Sequence, residues 1–276
     1  MPKVPHEHER LEIDAKIVVA TGLGCAGRFY PDYEVKFGKE NCIIVTWDKT
    51  CTDLEVHINY LKEKIPKKEP FVAVGHSMGG SIWLELVSRE NIPNMKGLVL
   101  VGAARTLRSD QGIKFLMRRH WMRIWGMVIM MTLLAPIMVF IWRKKTYDTY
   151  REMWRFVTKD GAKKIHTQYN QTLKRLGGIT KVVNQDLPLL CVRLTSDTLV
   201  DEEDLEFTKA MFNNVREQII ETNSLHLTEK FDHITVEKIA NEAEFIGLIS
   251  KEKKYSDEVK IYDEKSETLA EVQASR

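Results

Sequence analysis

Phe71-Val-Ala-Val-Gly-His-Ser-Met-Gly-Gly80 is an apolar run that stops abruptly at Gly75-His76-Ser77-Met78-Gly79. A G-x-S-x-G pattern directly after a strand-like run and before a helix-like one marks a sharp elbow that presents a nucleophilic serine. Such a turn strains the serine backbone so that its hydroxyl projects above the sheet edge. Gly75 and Gly79 lack Cβ atoms, which lets strand and helix close around the turn. Beyond the elbow, Ile82, Leu84, Leu86 and Val87 lie on a largely apolar helix suited to burial.

The chain has 276 residues, 43% of them hydrophobic and 29% charged, enough for one sizeable domain with an insertion. A formal charge of +2 gives no basis for a nucleic-acid partner. Cys25, Cys42, Cys51 and Cys191 are scattered, with no C-x-x-C pair, and the polar N-terminus resembles no targeting peptide. Cys42 and Cys191 lie in apolar strand-like runs and read as buried thiols, so a reducing, intracellular setting is expected.

Strands are expected at Lys16–Gly22, Cys42–Trp47, Phe71 up to the elbow, Gly97–Gly102, Leu187–Leu194 and, more weakly, Val215–Ile220. Thr52-Asp-Leu-Glu55 has capping-box spacing and opens a helix with Leu54, Ile58, Leu61 and Ile65 on one face, ended by Pro66. A closing helix is expected over Glu237–Ile249. Short apolar runs alternating with helices predict an α/β fold with a mostly parallel central sheet flanked by helices. That alternation breaks between Ala104 and about Asp186, an interval too long for a loop, which predicts an inserted helical cap. The expected organisation is a core of 1–104 and 187–250, a cap at 105–186 with an apolar segment at 124–142, and a charged, disordered tail at 251–276.

A serine nucleophile needs a base to take its proton and a carboxylate to orient that base. In one chain order of such triads the serine comes first, the acid next and the histidine last. Asp197 follows the fifth strand and His226 the sixth, which places both on the rim that carries Ser77. Asp201 competes with Asp197, which is favoured because it is nearer the strand end, and His233 competes with His226 but lies close to the closing helix. His76 reads as a packing residue and Asp48 as a loop cap. Two convergent backbone donors are needed for an oxyanion, and the expected ones are the N–H groups of Met78 and, in the loop after the first strand, Leu23. That loop is no Walker-type phosphate loop, because no Gly-Lys-Ser/Thr follows it.

Gly22-Leu-Gly24 after a strand, the Gly75–Gly79 elbow, Asp197 and His226 together resemble the α/β-hydrolase superfamily, from about Ile17 to Ile249 apart from the cap. Within it, the chain is similar to monoacylglycerol lipases, lysophospholipases and small carboxylesterases. The chain departs from the family in having Thr21-Gly22 where His-Gly is usual, and in lacking most of the N-terminal β-hairpin. The resemblance implies an α/β-hydrolase fold and a serine hydrolase that needs no metal or organic cofactor.

Ile124–Trp142 is 19 residues without a charge, bracketed by Arg118, Arg119 and Arg123 before it and Arg143, Lys144 and Lys145 after. One crossing of a bilayer at this point would put Ser77 and His226 on opposite sides, and no return span follows, so the segment is read as not crossing. Pro136 would kink it, and six of the eleven methionines fall between Met117 and Met138, as suits a pliable lipid-facing surface. The expectation is therefore a monotopic, membrane-associated esterase or lipase acting on an acylglycerol or lysophospholipid. A cap folded over the core and an oligomer interface remain open for the segment. A thioesterase, a peptidase and a non-catalytic hydrolase-like binder remain open for the chain.

Overall fold

The computed structural model describes residues 10–23, 30–47, 51–107, 171–195, 197, 199–221 and 232–250. Numbered among these residues, the elements run β1 (Lys16–Ala20), α1 (Pro31–Phe37), β2 (Cys42–Val45), α2 (Leu54–Lys64), β3 (Phe71–His76), α3 (Met78–Arg89), β4 (Met95–Val101), β5 (Leu189–Leu194), α4 (Glu202–Lys209), β6 (Val215–Ile220) and α5 (Asp232–Asn241). The strands form one sheet in the order β2-β1-β3-β4-β5-β6. Every pairing is parallel, as expected when helices separate the strands in sequence.

Because side chains alternate along a strand, each strand supplies both faces of the sheet. Val18, Ala20, Ala73, Leu98, Leu100, Leu189 and Cys191 join one core layer with residues of α2, α3 and α4. Ile17, Val19, Val72, Val74, Val99, Val101, Leu190 and Val192 join the other with residues of α1 and α5. This explains why the central strands read as continuous apolar runs rather than alternating ones. The edge strand β6 buries only Ile220, so its sequence signal is the weakest of the six. Helix α3 lies nearest the elbow, and its Ile82, Trp83, Leu84 and Leu86 are wholly buried. Each of the three aliphatic side chains stabilises the fold by about 1.5–3 kcal/mol relative to exposure.

Three local expectations need correction. Helix α2 is capped by Asp53 rather than Thr52, its carboxylate accepting from Val56 N–H at 3.0 Å. The closing helix starts at Asp232 and stops at Asn241, after which tight turns and Gly247, with φ +75°, reverse the chain over Gly97. Cys191 is buried as expected, but Cys42 lies on edge strand β2 and is only half-buried.

Residues 171–186, which the sequence reading assigns to the insertion, place Leu176, Ile179 and Val182 in the layer around α2, α3 and α4. Val183 N–H donates to Val87 C=O at 3.0 Å, tying this segment to α3. Among the described residues no helix is long and apolar enough to cross a membrane. The apolar segment 124–142 and the tail 251–276 lie outside the described residues.

Candidate active site

In this sheet the strand order reverses between β1 and β3, and open α/β sheets bind ligands at the carboxyl ends of the strands flanking such a reversal. The residues that leave those two strand ends are Thr21-Gly22-Leu23 and Ser77.

Ser77 occupies the single turn position between β3 and α3 with φ 50° and ψ −119°. It is the one non-glycine residue with positive φ among the described residues, a conformation that costs about 1–3 kcal/mol and persists only where its surroundings impose it. The surroundings here are specific. Ser77 N–H donates to Val101 C=O at 2.9 Å, extending the β3–β4 ladder, and its C=O accepts from Gly80 N–H at 3.0 Å and Ser81 N–H at 3.3 Å as α3 begins. The strain is local, because the peptides on both sides follow regular structure.

Three glycines make room for the turn. A Cβ on Gly75 would stand 2.3 Å from Gly80 Cα, and one on Gly79 would stand 2.3 Å from Ala20 C=O. A Cβ on Gly80 would meet the Ala103 Cβ at 2.5 Å. Gly80 belongs to the elbow as much as Gly75 and Gly79 do, and the doubled glycine after Met78 was its signal. Met78 stands first in α3, where an N–H has no helical carbonyl behind it. Its side chain is fully buried while Ser77 stays half-exposed.

Asp197 follows β5, two strands from β3 and so about 10 Å away at the usual strand spacing. The Asp197 carboxylate accepts from Leu199 N–H at 2.9 Å and Val200 N–H at 3.3 Å, which holds it in a tight turn at the strand end. Asp201, its competitor, stands at the start of α4, where its C=O accepts from Leu205 N–H.

His226 lies outside the described residues, between Glu221, which leaves β6, and Asp232, which opens α5. His233 is exposed on α5. His76 points into the layer under α1 and α5, where its Nε2 shares a 2.8 Å hydrogen bond with Tyr33 Oη and its ring meets Tyr30 edge-on at 4.6 Å. Burial, and then the charge of Asp232, raise the Tyr33 pKa well above the usual phenol value, so that hydroxyl keeps its proton. Asp48 lies outside the described residues.

Leu23 follows a peptide that two aromatic side chains hold. Trp47 Nε1 donates to Thr21 C=O at 2.7 Å, and Gly22 N–H donates to Tyr30 Oη at 3.2 Å. Neither Tyr30 nor Trp47 was singled out in the sequence. Buried indole and phenol groups need a partner, but which partner is a tertiary fact.

A parallel sheet in this order, with a strained serine at the strand reversal and a carboxylate two strands away, defines an α/β hydrolase. Residues 36–237 match the family described as serine aminopeptidase, S33, and the chain belongs to that family. No curated protein matches the chain. Among solved structures, a thermophilic esterase is similar at 18% identity and TM-score 0.59, over 84% of this chain and 90% of that one. A lipase-esterase related protein from Clostridium acetobutylicum is similar at 14% identity and TM-score 0.60, over 84% and 94%. The type II thioesterase of the yersiniabactin NRPS/PKS pathway, in a mutant form, is similar at 12% identity and TM-score 0.53, over 86% and 95%. At these identities the likenesses speak for the fold.

Proposed function

We propose that this hydrolase cleaves a carboxylic ester of a lipid-like substrate, an acylglycerol or a lysophospholipid, through Ser77, His226 and Asp197. The observation that carries the proposal is Ser77 itself, held in a strained turn at the strand reversal. A fold has little reason to keep such strain at a serine unless the hydroxyl must project.

Ser77 Oγ attacks the ester carbonyl while His226 takes its proton, and the carbonyl oxygen becomes an oxyanion held by the N–H groups of Met78 and Leu23. Collapse of that tetrahedral species breaks the bond to the alcohol, which leaves with the proton from His226. Water, deprotonated by His226, then attacks the acyl-enzyme and releases the acid. Asp197 keeps the imidazole oriented and stabilises its charged form. This chemistry requires no cofactor.

The apolar segment 124–142, with its basic flanks, lies on an anionic membrane face and brings acyl chains to Ser77. The solved neighbours named as an esterase and a lipase-esterase related protein are in keeping with an ester substrate.

Labelling with a fluorophosphonate, followed by hydrolysis of p-nitrophenyl esters of graded length, tests the reading. Ser77→Ala is expected to lose all labelling, and His226→Ala and Asp197→Asn to lose turnover by about 10⁴-fold or more. Unlabelled folded protein would leave a binding role instead. Acyl thioesters or aminoacyl anilides turned over faster than every ester would move the reading to a thioesterase or a peptidase. If deleting Gly126–Phe140 leaves liposome sedimentation unchanged, the membrane contact is wrong.

A further inference from the structure

The two hydrogen bonds to the Thr21–Gly22 segment fall on one peptide unit. Its C=O accepts from Trp47 Nε1 at 2.7 Å, and its N–H donates to Tyr30 Oη at 3.2 Å. In a trans peptide these groups point in opposite directions across one rigid plane, so two partners on opposite sides fix its tilt. They come from opposite layers of the molecule. Trp47 belongs to the core under α2 and α3, and Tyr30 to the core under α1 and α5.

Each ring is held in its turn. Trp47 meets the buried His57 edge-on at 4.9 Å, and His57 Nδ1 lies 2.6 Å from Asp53 C=O. Tyr30 stands edge-on to His76, the residue just before the nucleophile, at 4.6 Å. The start of α3 closes the third side, since a Cβ on Gly79 would lie 2.7 Å from Thr21 C=O.

We infer that Tyr30 and Trp47 are positioning residues for ester hydrolysis, which clamp this peptide and thereby aim the N–H of Leu23 at the developing oxyanion. The inference rests on the reading of Ser77 as nucleophile and Leu23 as second oxyanion donor. With the preceding plane fixed, only φ and ψ of Gly22 separate the clamp from that N–H. Glycine has the widest torsional freedom of any residue, so a loop without the clamp would spread the donor over many directions. A donor helps the transition state only if it is aligned before charge develops.

The test uses the full chain with Tyr30→Phe, Trp47→Phe and the double variant, assayed with p-nitrophenyl butyrate. Tyr30→Phe removes one hydroxyl and Trp47→Phe keeps an apolar ring. Each single variant is expected to lower kcat about tenfold, and the double about 10²-fold or more, approaching loss of one oxyanion donor, with KM within about twofold. Affinity for a trifluoromethyl ketone, which mimics the tetrahedral species, should fall in parallel with kcat/KM. A purely structural role would lower the melting temperature and the active fraction without weakening the ketone relative to substrate.

Wild-type kcat in the double variant, or a change confined to KM, overturns the clamp while the wild-type enzyme still labels at Ser77. Absence of labelling in wild type overturns the clamp and the hydrolase reading together. If Trp47→Phe fails to fold, the kcat and ketone affinity of Tyr30→Phe decide alone.

Discussion

Gly79→Ala tests the elbow where its geometry is tightest. The added methyl would stand 2.3 Å from Ala20 O, 2.6 Å from Ala20 C and 2.7 Å from Thr21 O. All three are backbone atoms at the end of β1 and the start of the loop that follows it, so no side chain can swing aside. Ordinary contact begins at 3.4 Å, so the start of α3 and the end of β1 must part by about 1 Å. Overpacking of this kind costs about 1–3 kcal/mol, which for a domain of this size is a fall in Tm of roughly 3–10 °C. The same displacement moves the Thr21–Gly22 peptide away from Trp47 or Tyr30, and a 1 Å error in such a site costs about 10²-fold in turnover. Thermal melts followed by circular dichroism, with kcat and KM on p-nitrophenyl butyrate, give both readings. The control is Gly178→Ala, since Gly178 has open space around its Cβ position and a φ outside the left-handed region. It should match or slightly exceed wild-type stability with unchanged kcat. A Gly79→Ala enzyme with wild-type Tm and kcat would show that strand and helix do not press on each other here, and the reasoning about the elbow would fall with it.

Ser77→Gly and Ser77→Ala should both be inactive, yet glycine adopts φ 50° freely, so Ser77→Gly is expected to melt above Ser77→Ala. Equal or lower Tm for the glycine variant would refute the strain. Burial opposes ionisation of Glu217, but hydrogen bonds from Lys209 and Arg193 outweigh it and hold the carboxyl below its ordinary value of 4.5. A depressed folded-state pKa gives stability that is present above the ordinary value and lost as pH falls through the folded one. Glu217→Gln should therefore lower the urea midpoint at neutral pH, with the gap closing as acid protonates the carboxyl in the folded protein, and a gap independent of pH would count against this. Burial pushes the Cys191 thiol up to about 12, so in folded protein iodoacetamide near pH 8 should spare it until urea unfolds the chain. Peptide mass mapping that finds Cys191 alkylated without unfolding would overturn that.

Long-range order in this chain was legible where one kind of signal sufficed. Each of the six apolar runs became a strand, because a parallel strand covered on both faces needs bulky apolar groups at nearly every position. The weakest run, Val215–Ile220, became an edge strand with one buried residue, as its mixed composition implies. Helix α1 was invisible. It has seven residues and only Tyr33 and Phe37 buried, too few turns to show a period. The sequence pattern places the closing helix five residues late, because the helix opens at Asp232, which is buried although carboxylates ordinarily signal exposure.

The candidate site divides the same way. Ser77, Met78 and Asp197 follow from rules about strand ends, which are local in sequence, so a motif and a spacing found them. Tyr30 and Trp47 follow from no local rule. Both are core residues, at 6% and 5% exposure, and neither stands in a motif. Their distinguishing feature is a single polar atom apiece, and the partner of each lies 8 and 26 positions away in the chain. Hydrophobic patterning has no means of reporting such a bond, since replacing either ring by phenylalanine would leave the apolar pattern intact. The candidate residues at the strand ends were therefore readable from the sequence, whereas the two rings that hold the Thr21–Gly22 peptide became readable only when two core layers were brought to opposite sides of it. An alignment built on apolar pattern alone would accept Phe at position 30 or 47. If relatives that keep the G-x-S-x-G elbow carried Phe at both positions and still hydrolysed esters at full rate, a peptide clamp could not be what aims the second donor.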